Sequence, residues 1–389
     1  LFAPDNILAK ASNMIRDKFD IDLYALGELE FFLMSQIENN SFPLPKQRGY
    51  HASAPFVKGG EVLNEMLRHI ASICGHVKYA HTEVGYIREL ESELDEINGR
   101  QAEQFEIEFN PTPIEDAADI LVLSRWIIRN VAYRRNCVAS FVPKLEIGHA
   151  GSGMHVHMAL MKDGKNIMLD SKGALSDKAK KVIGGLCRYA PSLTAFGNMV
   201  SAAYLRLVPN QEAPTKVCWS EMNRSAMIRV PLGWSTINNL GAKINPQQKT
   251  LLKDIPGRQT VELRSPDGST NTHMLMAGIS LAVEWGLSNP KEALEIAKNS
   301  HVTANIHTND EYKNLPELAR SCVESSEKLI AERKIYERDE IFPPRVIDYV
   351  AEQLKNENDR DLDARLMALP DDEKNKEARR VMHRDIHKN

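Results

Sequence analysis

Apolar residues recur along the chain at two periods, and the period assigns most of the elements. Ile7, Leu8, Ala11, Met14, Ile15 and Phe19 fall at three- and four-residue spacing behind an Asp5 or Asn6 cap, which predicts a helix over 5–20. The segment 23–34, LYALGELEFFLM, alternates and is rich in aromatics; it predicts a strand, followed by a long loop punctuated by Pro, Gly and Asn. A helix near 60–75 and a strand near 77–87 come next. Ala117, Ile120, Leu121, Ser124, Ile128 and Val131 then predict a long helix over 114–137. Further strands are expected near 139–147, 153–161, 216–230 and 259–264, with helices at about 174–190, 270–287, 315–334 and 344–356. Strands mixed with long helices, without regular βαβ alternation, give an α+β class: one domain over 1–356, on a largely antiparallel sheet. No internal repeat is evident.

Two stretches fall outside these periods. Residues 88–103, RELESELDEINGRQAE, are acidic and polar and separate the strand-like pieces HTEVG and QFEIEF; they are expected to form a solvated helical excursion. Residues 357–389 are a charged C-terminal tail, expected to be a solvated helix or an oligomer contact, and carry no assigned chemistry.

The strands themselves hold charge where a dry sheet would not. Side chains two apart on a strand share a face. Glu28 and Glu30 in GELEFFL, Glu106 and Glu108 in FEIEF, His155 and His157 in MHVHMAL, and Glu262 and Arg264 in VELRSPD all have that spacing, and Glu83 lies in HTEVG. One such pair is explained by a strand with one wet face. Placed side by side, these strands would instead give a face of carboxylates and imidazoles that cannot pack dry without compensating cations. Glu and His together suit Mg²⁺ or Mn²⁺ with positions open to phosphate oxygens, and zinc less well in the absence of thiolates.

A cationic set accompanies it. Arg206, Arg224 and Arg229 fall within residues 204–230, and Arg264 joins them. Guanidinium groups bind phosphate and carboxylate bidentately, so the cluster is either a clamp for a transferring phosphoryl group or a set of structural ion pairs. Glu212 lies in the Pro-bounded loop PNQEAP, as a solvated loop residue or a base on a flap. The Gly-Ser-Gly at 151–153 precedes His155 and would let backbone approach a ligand closely.

Composition narrows the alternatives. Forty-nine basic and 53 acidic residues leave a formal charge of −4, which gives no global field for nucleic acid or an anionic membrane. No apolar run approaches the roughly 20 residues of a membrane span. The five cysteines are scattered, odd in number and free of CxxC pairs, as expected of a reducing, cytoplasmic setting. GxxxxGK[ST], HExxH and GxSxG are absent from the sequence, so a P-loop, a zincin and an α/β-hydrolase elbow are unsupported.

Taken in order, GELEFFL, HTEVG, QFEIEF, AGSGMHVH, RLVPNQEAP, NRSAMIRVP and VELRSPD resemble the catalytic domain of glutamine synthetase over roughly residues 21–285. The resemblance implies a glutamine synthetase/guanido kinase-like fold, a curved antiparallel sheet with outer helices, whose concave face holds two or more divalent ions, Mg²⁺ or Mn²⁺. It implies that Glu30, Glu83 and Glu106 hold the ion near glutamate and ammonia, and that Glu28, His155 and Glu262 hold the one across the ATP phosphates. Arg206, Gly151, Tyr50 and Arg229 would bind substrate, and His157, Arg229, Arg224 and His81 the nucleotide. Glu212, Arg224 and Arg264 would be catalytic. The activity implied is ATP-dependent formation of glutamine from glutamate and ammonia through γ-glutamyl phosphate, in a ring-like homo-oligomer.

Where the family commonly has NGSGMH this chain has Ala150, Thr82 replaces the second His of HHE, and Asn210 and Gln211 replace the Gly-Tyr of the flap. These departures bear on the amino acid and the amine, not on the metals. They keep open a γ-glutamyl-amine ligase acting on a larger, polyamine-type amine. In the family a small N-terminal domain precedes the GELEFF strand, whereas here only residues 1–27 precede Glu28, and the chain starts at Leu1. The expectation is a chain lacking that domain, which also keeps open a non-catalytic structural or regulatory relative.

Overall fold

In the computed structural model the described residues are 2–37, 41–208, 213–233, 244–245, 247, 258–304, 306 and 312–388. Glu212, Asn210 and Gln211 lie outside them. The strands are β1 (Asp22–Ser35), β2 (Val77–Ile87), β3 (Gln101–Phe109), β4 (Thr112–Pro113), β5 (Val138–Ser140), β6 (Val156–Lys162), β7 (Lys165–Asn166), β8 (Trp219–Glu221), β9 (Ile228–Val230) and β10 (Val261–Leu263). Among the described residues they form one open sheet in the order β2-β3-β1-β6-β10-β9-β8, with β4 and β5 on β1 and β7 on β6. Every pairing is antiparallel except β8 with β9. The protein is therefore α+β, built on a largely antiparallel sheet.

The long central strand β1 shows why one sheet face is dry and the other charged. Its odd positions, Leu23, Ala25, Leu29, Phe31 and Leu33, are buried. Gly27 belongs to the same set and abuts Leu121 of the helix Ile114–Arg134. Phe31 packs against Phe105 and Phe141, with ring centroids 6.0 and 5.6 Å apart. Glu28 and Glu30 occupy the even positions and face the opposite way.

Behind the sheet, the helices Asp177–Gly197 and Thr272–Ser288 pack on each other, and Pro290–Asn299 packs on the first. Pro290 stands at the first turn of the last of these, a start signal the periodicity reading passed over. The expected strand over 139–147 is shorter, ending at Ser140. The expected 216–230 strand is two short strands joined by a turn. The 315–334 helix is broken into Cys322–Ala331 and Arg333–Glu337.

The two polar stretches differ most from expectation. Residues 88–100 are turns rather than helix, and they bury Leu90 and Ile97. The tail forms the helices Leu362–Met367 and Asp371–Arg384, and Ala378, Met382 and Ile386 join the main apolar core, so it is not solvated on all sides. Charge density hid a sparse apolar stripe in both.

One buried ion pair ties the first helix to the back layer. Glu284 has no exposed side-chain surface; Lys18 Nζ lies 2.9 Å and Arg338 Nη2 2.5 Å from its carboxylate oxygens, and Ser288 Oγ donates at 2.7 Å. Burial raises the cost of the Glu284 charge, but Lys18, Ser288 and Arg338 outweigh it and hold the carboxyl below its ordinary value. Arg338→Met is expected to cost about 2–3 kcal/mol in urea unfolding, because it strands part of a buried charge. A carboxyl depressed in the folded state stabilises above the ordinary Glu range, so this difference should shrink as pH falls through the folded value. Equal stabilities at neutral pH would refute the assignment.

Candidate active site

Register brings the charged positions together. Glu28 pairs with Glu108 and Glu30 with Glu106 across β1 and β3. His81 pairs with Glu106 across β2 and β3. On the other side His157 of β6 lies opposite Leu26 and Glu262, and Glu262 lies opposite Arg229 of β9. The result is a cavity of about 230 Å³ lined by Glu28, Glu30, Glu83, Glu106, Glu108 and Glu262, with His81, His155 and five cationic side chains.

His155 is the hub. Its Nδ1 lies 2.8 Å from Glu28 Oε2 and 3.6 Å from Glu262 Oε1, and its Nε2 lies 3.9 Å from Glu30 Oε1. His157 Nε2 is 2.9 Å from Glu28 Oε1 and 3.9 Å from Glu262 Oε2, while its Nδ1 meets Thr260 Oγ1 at 3.0 Å. His81 Nε2 lies 3.1 Å from Glu106 Oε1, and Nδ1 3.7 Å from Glu83 Oε1. Three sets of ligand atoms fall within 4.8 Å of one another: Glu28, His157 and Glu262; His81, Glu83 and Glu106; and Glu28, Glu106 and Glu108.

The electrostatics of this face would favour a bound cation. Burial pushes the Glu106 carboxyl up, and the carboxylates of Glu28, Glu30, Glu83 and Glu108 push it further, well above its usual range. Burial opposes the charge on Glu28 too, but His157 and His155 outweigh it and hold that carboxyl well below. Burial disfavours a charged His157, and Glu28 and Glu262 override this and raise it. Glu262 is 1% exposed, and although Arg229 Nε lies 2.5 Å from its Oε2, the approach is off the line of a hydrogen bond, which leaves that oxygen without one. Crowded carboxylates and an unsatisfied buried oxygen fit a hard divalent ion on oxygen and imidazole donors.

The cationic wall is held by backbone. Arg206 donates to Ser265 O at 3.0 Å and to Arg264 O at 3.3 Å. Arg264 Nε reaches Glu262 Oε1 at 3.1 Å, and its Nη1 meets Arg224 O. Arg224 lies over the Tyr50 ring, 5.8 Å from its centroid. Gly151 O accepts from Gln104 Nε2 at 2.9 Å. The Gly-Ser-Gly stretch lines the cavity at Gly151 and also approaches protein closely. A Cβ on Gly151 would come within 2.6 Å of Pro143 O, and one on Gly153 within 2.7 Å of both Arg206 Nη2 and His155 Nε2.

Of the residues singled out in the sequence, Glu28, Glu30, Tyr50, His81, Glu83, Glu106, Gly151, His155, Arg206, Arg224, Arg229, Glu262 and Arg264 all line this cavity. His157 contacts two of its carboxylates without lining it. Tyr79 and Lys144 also line it and were not singled out, and Glu108 does so without having been given a role. Tyr79 and Glu108 each lie two residues from a named residue on the same strand, so the same-face rule could have found them. Lys144, buried in the loop after β5 with its Nζ on His149 O, had no such signal.

An open, mostly antiparallel sheet carrying this acidic and imidazole face presents groups that could hold divalent cations. The family model "Glutamine synthetase, catalytic domain" matches residues 2–365, and the chain belongs to that family. A glutamine synthetase of Streptomyces coelicolor is 30% identical over 89% of this chain and 72% of its own length. That of Streptomyces viridochromogenes is 31% identical over 79% of this chain but 60% of its own length, and that of Mycobacterium bovis 34% over 65% and 46%. The chain thus spans roughly half to three-quarters of these relatives. Among solved structures, the cryo-EM structure of Plasmodium falciparum glutamine synthetase aligns at 21% identity with a TM-score of 0.68 over 95% of this chain and 78% of its own, and a glutamine synthase homologue aligns at 19% and 0.70 over 98% and 75%. Among the described residues no helix is long and apolar enough to cross a membrane.

Proposed function

We propose that this chain carries out ATP-dependent formation of glutamine from glutamate and ammonia by way of γ-glutamyl phosphate, within a ring-like homo-oligomer. The observation that carries the reading is the convergence of Glu28 and Glu30 from β1, Glu83 from β2, Glu106 from β3, His155 from just before β6 and Glu262 from β10 on one cavity beside Arg206, Arg224, Arg229 and Arg264. Bound Mg²⁺ or Mn²⁺ would supply Lewis-acid charge against the ATP phosphates. In this reading Arg206 and the Gly151 backbone hold the amino-acid substrate. Arg224, Arg229 and Arg264 offset charge on the phosphoryl group as it passes to the γ-carboxylate. His81 and His157 border the nucleotide. Glu212 takes the proton released when ammonium becomes the nucleophile.

A second reading, a ligase for a larger primary amine, is favoured by the rings at the cavity mouth. His51 stacks on His81 at 4.5 Å and 11°, Tyr79 stacks on its ring at 5.5 Å, and Tyr50 meets both histidines edge-on. Of these, the Tyr50 and Tyr79 rings are of the kind that binds alkylammonium groups. Phosphate release with ATP, glutamate and a panel of amines separates the readings: release driven by ammonia supports the first, and release driven only by a larger amine replaces it with the second.

Glu106→Gln tests the metal assignment through effects of opposite sign. It removes one of five crowded carboxylates, so the ion-free protein should melt at the same or a higher temperature. Mn²⁺ affinity should fall about tenfold or more, because a ligand charge is lost. A lower melting temperature with unchanged Mn²⁺ affinity would make Glu106 structural.

A further inference from the structure

The helix Asp371–Arg384 begins beyond residue 365, where the family match ends. We infer that it is a latch holding the substrate-side wall of the cavity against the metal-bearing strands, with Arg379 and His383 as positioning residues. The inference concerns the site proposed above and rests on that reading only for its kinetic consequence.

Arg379 and His383 are one turn apart on one helix face, and each bridges the same two segments. Arg379 Nη1 meets Glu91, in the connection between β2 and β3, and its Nε lies 2.8 Å from Glu146 Oε2, in the loop between β5 and β6. His383 Nδ1 lies 2.9 Å from Ser92 Oγ, next to Glu91, and its Nε2 lies 3.0 Å from Leu145 O, next to Glu146. A carbonyl only accepts, so Nε2 carries the proton and Nδ1 accepts from the serine hydroxyl. Burial lowers the His383 pKa, in keeping with the neutral ring. Just past the helix, Ile386 O accepts from Ser140 Oγ at 2.7 Å. Arg380 with Glu93 and His387 with Glu96 add exposed pairs to the same connection, which contribute little by themselves.

Both pinned segments lead into the site. Residues 91–92 follow β2, which carries His81 and Glu83, and precede β3, which carries Glu106. Residues 145–146 sit between Lys144 and the Ala150–Gly153 stretch. That loop is internally braced: Lys144 Nζ donates to His149 O, His149 N to Glu146 O at 3.3 Å, and Ser152 N to Pro143 O at 2.9 Å. A shift at Leu145 or Glu146 is therefore passed on to Gly151 rather than absorbed. At its far end the loop is tied to β3 by Gln104 and to Glu30 by Gly153 N at 2.8 Å. Without the latch its middle loses the side-chain ties at Leu145 and Glu146 and keeps the anchors at its two ends.

The test uses the full chain with Arg379→Met, Arg379→Lys and His383→Gln, the last keeping a donor toward Leu145 O. Hydrogen exchange at the Ser152 and Gly153 amides should quicken at least tenfold in Arg379→Met, with β3 unchanged. The glutamate KM should rise at least tenfold, while the ATP KM and Mn²⁺ affinity stay within twofold. Arg379→Lys and His383→Gln, which each keep a donor, should show smaller changes of both kinds than Arg379→Met. Unaltered exchange at 152–153 overturns the latch whether or not the chain makes glutamine. Faster exchange with an unchanged glutamate KM overturns the positioning role. A wild-type chain that releases no phosphate with any amine removes the ligase reading and leaves the exchange result to decide the latch. Should Arg379→Met fail to fold, Glu146→Gln, which keeps the Glu91 pair, carries the same measurements.

Discussion

Glu262→Gln is expected to lower Mn²⁺ affinity by at least about 10²-fold and to abolish measurable phosphate release with ATP and glutamate. Among the described residues no other carboxylate at the site is as deeply buried or meets as many partners: Arg229 at 2.5 Å, Arg264 at 3.1 Å, His155 at 3.6 Å and His157 at 3.9 Å. The amide keeps the volume but removes the charge. Two guanidinium groups would then lose their carboxylate partner beside two imidazoles whose remaining counter-charge is Glu28, and that corner would hold a cation less well. The arginines would also lose the anchor that fixes their direction toward a phosphate. Glu103→Gln is the matched control. Glu103 is equally inaccessible, but it sits on the opposite face of β3, accepting from Lys58 N at 2.8 Å and Gly59 N at 2.6 Å. It should cost stability and leave Mn²⁺ binding intact. Manganese titration by calorimetry or electron paramagnetic resonance checks both, and equal Mn²⁺ affinity in Glu262→Gln and wild type would sink the assignment.

The site was legible in the sequence to the extent that it follows from the strand period. Glu28/Glu30, Glu106/Glu108 and Glu262/Arg264 share faces because side chains alternate, and that much needs no knowledge of which strands are neighbours. Register is another matter. That Glu30 lies opposite Glu106, and Glu262 opposite both His157 and Arg229, depends on pairings between residues more than 30 apart, which no local pattern encodes. The motif resemblance offered a grouping instead, but the close sets hold His157 where it put His155 and His81 where it put Glu30, and it left Glu108 without a role although the face rule had included it. Irregular backbone accounts for the remainder. Lys144 enters the cavity from a loop, where neither period applies. Residues 88–100 and the tail were read from their charge, yet Leu90, Ile97, Ala378, Met382 and Ile386 are core, and the ion pairs on either side of them join the two stretches to each other. High charge marks a solvated segment only when its few apolar residues have nowhere to go.

Gly153→Ala is expected to reduce kcat/KM by about 10²-fold, some 2.7 kcal/mol of transition-state stabilisation, in a protein that still folds. The added methyl would lie 2.7 Å from Arg206 Nη2 and 2.7 Å from His155 Nε2. Both atoms are the far ends of side chains, which at the surface would swing aside at little cost. Here neither can. Arg206 is 5% exposed and held by Ser265 O and Arg264 O; His155 is 7% exposed and held by Glu28 at 2.8 Å. Gly153 itself cannot back away, since its N donates to Glu30 Oε2 at 2.8 Å and its carbonyl accepts from Glu30 N at 3.3 Å. Whichever group yields, an element of the metal face or of the substrate clamp moves by a large fraction of an ångström, and catalysis depends on such positions more steeply than stability does. Mn²⁺ affinity should fall as well if His155 gives way, and stay constant if Arg206 does, so the titration identifies the group that moves. Gly60→Ala, at the start of the helix Gly60–Cys74 with no atom within 4 Å of the new methyl, should leave activity unchanged. Activity within threefold of wild type in Gly153→Ala would mean that the crowding between Arg206 and His155 is not required for turnover.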